Sequence, residues 1–503
     1  MPGSKSSAAS RNFKRKGRGP APLEWVAVAP CIAALSAAAV WWFYRRGFIL
    51  YYGDAESRLD HARRILDSRT PGYDQLGTVW LPLPHVLMLP FVTHNSLWRS
   101  GLAGSIPAAG CFIIACLFLF AAVRRIFDSR AAALTAVALF ALNPNLLYLQ
   151  SIPMTEPVFF AALAGLLFST VWFAQSQSIF AILLAALFSN VASLSRYDGW
   201  FLIPFVTLYV LIAAKRRRLG YAILFGALAS LGPLYWLAHN WYCCGNVLAF
   251  YNGPGSSKAI YQSFLDKGMA RYRGDHDWRD AWLYFRSAAQ LCVGWPLMVI
   301  GLCGIAAALF KRAVWPIVFL ALAPVFYVLS VYSSGLPIFV PQLWPHSWYN
   351  TRYGLAVLPG LALAGGALTA LAPAKLRPLA AVLIVAAGIS PWLVYPSHEA
   401  WICWKESQVN SEARRGWTHQ AAEFLAAHYQ RGTGILSSCG GDLPGIFREA
   451  GIPLRETLNE CNGPAWAAAM ARPDLFLHEE WAVAISADPV AAAIMKAQRH
   501  GPH

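Results

Sequence analysis

Charge is what this chain has least of. Only 13% of its 503 residues are Asp, Glu, Lys or Arg, against about 25% in soluble domains, which excludes an ordinary soluble fold. Acid is the scarcer sign, with 25 Asp and Glu against 41 Lys and Arg and a net charge of +16. That surplus does not point to nucleic acid, because the basic residues fall in short clusters between apolar segments, the positive-inside pattern of a membrane protein. No nucleic-acid partner is expected. Metal-binding spacing is missing as well: the ten cysteines contain no CxxC and no Cys/His ligand pattern. No internal repeat is visible, which weakens an inverted-repeat transporter.

What is abundant is apolar: 57% of residues are hydrophobic and 14% aromatic. Residues 1–20 are polar and basic and read as a disordered cytoplasmic N-terminus. Ala21 to Tyr44 is long enough to span and lacks a cleavage site, so it reads as a first membrane helix. Further spans are expected near 102–123, 131–149, 157–174, 178–194, 200–214, 220–239, 288–310, 313–332, 353–372 and 378–395, about eleven in all. With the N-terminus inside, the loops holding Arg124/Arg125/Arg130, Lys215 to Arg218, Lys311/Arg312 and Lys375/Arg377 all face the cytoplasm. The opposite face receives the loops 45–101, 143–156, 195–199, 240–287 and 333–352, together with the tail. The expected architecture is a polytopic α-helical membrane domain over 21–395 and a small extracytoplasmic α/β domain over 396–503.

In that tail, Ser411–Tyr429 and Leu443–Ala450 read as helices, Gly434–Ser437 and Trp481–Ile485 as strands, and a last helix starts at Asp488. Cys439 and Cys461 suit a disulfide in an oxidising compartment.

The most informative stretch is 51–92. It opens on Asp54 and Glu56 and continues with Leu59, Ala62, Ile65 and Leu66 at helical spacing against Arg58, Asp60, Arg63 and Arg64, a pattern for a helix lying at a membrane interface. The run Trp80 to Val92 is too short to cross a bilayer and carries Pro82, Pro84 and Pro90, so it reads as interfacial or re-entrant.

The outer loops collect further polar groups: Glu156-Pro157 at the mouth of a helix, Arg196-Tyr197-Asp198-Gly199 between two spans, and Tyr349-Asn350-Thr351-Arg352-Tyr353 entering a late one. His85, His239, Asp275, His276 and Asp277 share that side. A carboxylate in a partly dehydrated pocket can act as general base towards a hydroxyl or amine, and an arginine can hold a phosphate through paired hydrogen bonds. Each group has a plainer reading. Asp54 and Glu56 can be solvated loop acids, and Glu156 can serve the helix dipole with Pro157 in the first turn. Arg196 and Asp198 can be a structural ion pair, Arg352-Tyr353 an interface anchor, the histidines structural, and Asp275-His276-Asp277 a solvated loop.

Taken in order, these motifs resemble the GT-C superfamily of integral-membrane glycosyltransferases, nearest to glycosyltransferase family 39, the protein O-mannosyltransferases and lipid A aminoarabinose transferases. The residues that carry the resemblance are Tyr52-Gly53-Asp54 after the first helix, Leu81-Pro82-Leu83-Pro84, Met154-Thr155-Glu156-Pro157, Arg196-Tyr197-Asp198-Gly199 and the run from Tyr349 through Pro359. It implies an inverting transfer from a polyprenyl-phosphate sugar to a protein, lipid or glycan acceptor. On that match Asp54 is the catalytic base and Glu156 a second acid, while Arg352 holds the donor phosphate. Glu56, His85, Arg196, Asp198 and Tyr353 are the remaining substrate-binding candidates. The sequence departs from the family where Ala55 separates Asp54 from Glu56, where Trp80-Leu81 stands in place of a lysine before the prolines, and where Leu83 splits those prolines.

The sequence requires no cofactor, and a divalent cation shared by Asp54 and Glu156 through oxygen ligands stays open. The competing reading is a transporter or flippase for a lipid-linked saccharide. It would place ionisable groups near the bilayer midplane, whereas here the acids gather at one face. Basic loops without an organelle address suit a bacterial inner membrane with the tail in the periplasm; a location in the endoplasmic reticulum reads similarly.

Overall fold

The computed structural model describes residues 20–438, 443–485 and 488–500. Of the basic stretch 1–20 all but Pro20 lies outside the described residues. The chain is a helical membrane protein with a small three-stranded sheet in its C-terminal region.

Among the described residues seven helices are long and apolar enough to cross a membrane: Pro22–Arg45 (α1), Leu102–Phe127, Glu156–Ser176, Arg218–Cys244, Val314–Ser333, Thr351–Leu371 and Arg377–Val394. An eighth is reached if the bent pair Trp278–Val293 and Trp295–Phe310 counts as one span. The sequence suggests about eleven, and the differences have local causes. Asn143-Pro144 breaks the stretch 131–149: the Asn143 side chain accepts from the Leu146 N–H at 3.1 Å, and Pro144 opens a new short helix, Pro144–Leu149. Gly294, at φ +80°, breaks 288–310 with a 106° bend. Ile179–Ser193 and Asp198–Ala213 have 15 and 16 residues, short of the roughly 20 that a span needs.

After α1 the chain forms the helix Gly53–Leu66 (α2), with Asp54 and Glu56 in its first turn and Arg63 and Arg64 in its last. That charge order complements the helix dipole at both ends. Leu59, Ala62 and Ile65 are buried as their spacing predicts, but Leu66 is 47% exposed and Asp60 and Arg63 are buried. The helix therefore does not lie on a membrane with a free polar face. Arg63 pairs with Asp67 at 2.9 Å and donates to Asn95 at 2.8 Å, and Trp98 donates to Asp60 at 2.8 Å. The next apolar run forms only the ten-residue helix Leu83–Val92 (α3), in keeping with a non-spanning element.

The tail returns to the membrane domain. Its first helix, Ile402–His428, starts nine residues earlier than the sequence suggests and lays Trp404 against Phe48, with ring centroids 3.8 Å apart. Beyond it lie β1 (Ile435–Ser437), the helix Leu443–Ala450, β2 (Thr457–Leu458) and β3 (Trp481–Val483), with the strands all parallel in the order β2-β1-β3. A second hydrophobic core joins α2, α3 and this domain through Leu59, Met88, Ile435, Ile446 and Phe447. Cys461 is disulfide-bonded; Cys439, the partner that the sequence suggests, lies outside the described residues.

Candidate active site

Segments far apart in sequence bring their charges to one end of the helix bundle. Asp54 stands in the first turn of α2, and Glu156 opens the helix Glu156–Ser176 with Pro157 behind it. Arg196 sits in the turn between Ile179–Ser193 and Asp198–Ala213. Arg352 belongs to a 3-10 turn, Thr351–Val357, that follows Asn350 at φ +56°, a left-handed position that Asn tolerates better than most residues.

Arg352 is the centre. Its Nη2 donates to Asp54 Oδ2 at 2.5 Å, its Nε to Glu156 Oε1 at 3.2 Å and its Nη1 to the Tyr52 hydroxyl at 2.6 Å. The guanidinium also lies over the rings of Tyr52 and Tyr353, at 4.9 and 5.0 Å. Arg196 is the second cation. Its Nη1 donates to Glu156 Oε1 at 2.9 Å and to Thr155 at 2.7 Å, and Asp198 lies 3.3 Å from its Nε. Tyr327 bridges the two halves: it accepts from Arg196 at 2.5 Å, donates to Asp198 at 3.0 Å and stacks on Tyr353. Glu156 is 4% exposed and Arg352 6%, burial that a charge tolerates only when paired. Among the described residues Glu156 Oε2 is nevertheless buried without a partner. The Asp54 side chain is 40% exposed, so it is the carboxylate of the cluster that faces an opening.

Of the residues singled out from the sequence, Asp54, Glu156, Arg196, Asp198, Arg352 and Tyr353 are thus brought together. Glu56 is not, because two residues along a helix turns a side chain to the other side. There it is clasped by Arg414 and Arg448 of the tail. His85 is fully buried one layer away, stacked on Trp80 and 4.4 Å from His61. His239 makes a 2.7 Å hydrogen bond with the Gly77 carbonyl and stacks on Trp236. Asp277 caps the helix Trp278–Val293 by accepting from the N–H groups of Arg279 and Asp280, and Asp275 accepts from Tyr261 at 2.9 Å. Among the described residues no three His, Cys, Asp or Glu side chains converge as metal ligands; the charge between Asp54 and Glu156 is supplied by Arg352.

Sequence reasoning missed four members. Tyr52 precedes the motif acid; burial pushes its phenol well above its ordinary value, keeping it a neutral donor, and it donates to Glu406. Arg58 lies four residues after Asp54, a spacing that puts both on one helix face. Its guanidinium stacks on Trp80 at 4.4 Å, and its Nε is buried with no partner among the described residues. Burial lowers its guanidinium from its ordinary value, against the pull of Asp54 and Glu156. Tyr327, within an apolar helix, left no charge signal. Glu406, in the tail, accepts from the N–H groups of Asn350 and Thr351 at 2.9 and 2.8 Å and lies 3.7 Å from Arg352.

Residues 95–236 match the model of the family described as dolichyl-phosphate-mannose-protein mannosyltransferase. The fold is similar to that of ArnT from Cupriavidus metallidurans, solved in the apo state, with a TM-score of 0.54 over 92% of this chain and 90% of that one at 15% identity. No curated protein matches the chain by sequence. The resemblance to GT-C membrane glycosyltransferases read from the motifs is thus met by a family match and a shared fold.

Proposed function

We propose that this chain, which its family match and fold support as a membrane glycosyltransferase of the GT-C type, moves a sugar from a polyprenyl-phosphate donor to a protein, lipid or glycan acceptor with inversion. The observation that carries the reading is the cluster itself: a half-open carboxylate, Asp54, fixed by Arg352 beside the buried Glu156 and Arg196. In the reaction the acceptor hydroxyl gives its proton to Asp54 as its oxygen bonds to the anomeric carbon. The bond from that carbon to the phosphate oxygen breaks, and its electron pair leaves with the polyprenyl phosphate. Charge grows on the phosphate, so donors aimed there lower the barrier. Arg58 suits that task because its Nε has no partner among the described residues, and Arg352, held beside Asp54, is the second cation at hand. Glu156 orients both arginines through a single oxygen, with Oε2 left for the acceptor.

The sidedness of the basic loops supports placing this site on the extracytoplasmic face, with the N-terminus inside. A bacterial inner membrane with the tail in the periplasm fits that arrangement. The test supplies membranes holding wild type or Asp54→Asn with radiolabelled polyprenyl-phosphate hexoses and pentoses. Wild type should transfer label from one donor, and Asp54→Asn about 10²–10⁴-fold less, the usual worth of a general base. Equal transfer by both removes Asp54 from that role, and no transfer from any donor removes the reading.

A further inference from the structure

A second cavity, of about 370 Å³, opens between α2 and the tail domain. Its walls include Ser57, Asp60 and Arg64 of α2, Trp80 from the loop before α3, and Ser437 and Asn459 from the ends of β1 and β2. It lies off the carboxyl edge of a parallel sheet whose strand order reverses at β1, the place where open α/β sheets bind ligands. Among the described residues, three polar atoms of these side chains are buried without a partner: Asp60 Oδ2, Arg64 Nε and Ser437 Oγ. Buried polar groups are ordinarily satisfied, so three orphans around one cavity mark a place built to meet hydrogen-bonding groups from outside. We propose that this cavity binds a saccharide unit of the acceptor.

The lining decides the class of ligand. A carboxyl, a guanidinium, hydroxyls and an amide around an indole offer both donors and acceptors with an apolar face, which suits an uncharged polyhydroxylated ring. Asp60 on the wall opposes an anion, and Arg64 opposes a cation. Burial raises the Asp60 carboxyl to about 6, against the pull of Arg448.

Position ties the cavity to the reaction. Asp54, Ser57, His61 and Arg64 recur at helical spacing along one stripe of α2. Ser57 is therefore about 4.5 Å further along the axis from Asp54, at 1.5 Å per residue. Trp80 is shared, since the Arg58 guanidinium packs on its ring. An acceptor sugar seated here projects its next hydroxyl towards Asp54. That role rests on the glycosyl-transfer reading; the binding itself does not.

The test uses the full chain in detergent and the uncharged disaccharides maltose, cellobiose, mannobiose and chitobiose, followed by saturation-transfer NMR. Wild type and Asp54→Asn should bind one of them equally. Ser57→Phe, which fills the cavity, and Arg64→Met, which removes its donors, should each bind at least tenfold more weakly while remaining folded. Arg64→Met still decides the matter if Ser57→Phe fails to fold. Absence of binding by all four sugars overturns the proposal, as does wild-type affinity in Arg64→Met. If wild type binds a disaccharide yet transfers label from no donor, the subsite stands and the transfer reading fails.

Discussion

Arg352 reaches Asp54 at 2.5 Å through Nη2 while its Nε holds Glu156 at 3.2 Å, so one guanidinium sets the spacing of two carboxylates that lie in separate segments. Lysine offers a single point of charge and cannot span both. Arg352→Lys should therefore keep the charge and lose transfer, by on the order of 10²-fold, the cost of a displacement of about 1 Å at a reacting group. Arg352→Gln should in addition lower stability by about 3–5 kcal/mol, because the buried Glu156 and Glu406 lose a cation. Labelled-donor transfer and thermal unfolding separate the two effects. Near-normal transfer by Arg352→Lys would show that the fork geometry is dispensable.

Glu406 acts on Arg352 through the backbone before it. Its carboxylate accepts from the N–H groups of Asn350 and Thr351 and from the Thr351 hydroxyl. Glu406→Gln turns one acceptor into a donor that faces a donor, which costs about 1–3 kcal/mol for the buried group left unsatisfied. Amide exchange at Asn350 and Thr351 should quicken and kcat should fall, while donor KM changes little. Unchanged exchange in the variant would mean that the tail does not brace this turn.

Much of this arrangement is legible in the amino-acid sequence, and the parts that are not share a common cause. Asp54, Glu156, Arg196 and Arg352 stand in loops that the basic clusters assign to one face, so sidedness alone gathers them. Arg58 is readable in hindsight from its i+4 spacing to Asp54. Glu406 is not, because it follows the last apolar helix, where a change of composition suggests a separate domain. That the tail helix packs back onto the bundle leaves no local trace. The same return covers Asp60 through Arg448, while Arg63 is buried against Asp67, Asn95 and Trp98; the amphipathic pattern sends both to solvent. β2, only two residues long, is too short to show alternation.

His61 makes the junction between α2 and its loop sensitive to acid. Its Nε2 donates to the Leu76 carbonyl at 2.9 Å and its Nδ1 accepts from Arg64 at 3.2 Å, which requires the neutral ring. Burial, with His85 and Arg64 beside it, holds the imidazole well below its ordinary value. The folded state therefore refuses a proton that the unfolded chain accepts below about pH 6.5. Stability should be at its full value above that pH and fall as pH drops below it, by up to about 1.4 kcal/mol per unit for one proton. His61→Gln should flatten that slope in thermal unfolding between about pH 4.5 and 7.5, the range that brackets the ordinary imidazole titration. An unaltered slope would assign the acid sensitivity to other groups.

Glu56 fastens the tail domain to α2. One carboxylate meets Arg414 of the helix Ile402–His428 and Arg448 of the helix Leu443–Ala450, and Arg448 also lies 3.5 Å from Asp60. Removing the acid leaves buried guanidinium charge short of its counter-ion, at a cost of about 3–5 kcal/mol. Glu56→Gln should therefore lower the unfolding temperature and speed proteolytic cutting of the tail, with Asp54 still in place on the other side of the helix. A double-mutant cycle with Arg448→Met should show positive coupling, since the second change removes the orphaned charge. If Glu56→Gln instead abolishes transfer while proteolysis and unfolding temperature stay at wild-type values, Glu56 acts on substrate as the sequence suggests and not as a clasp.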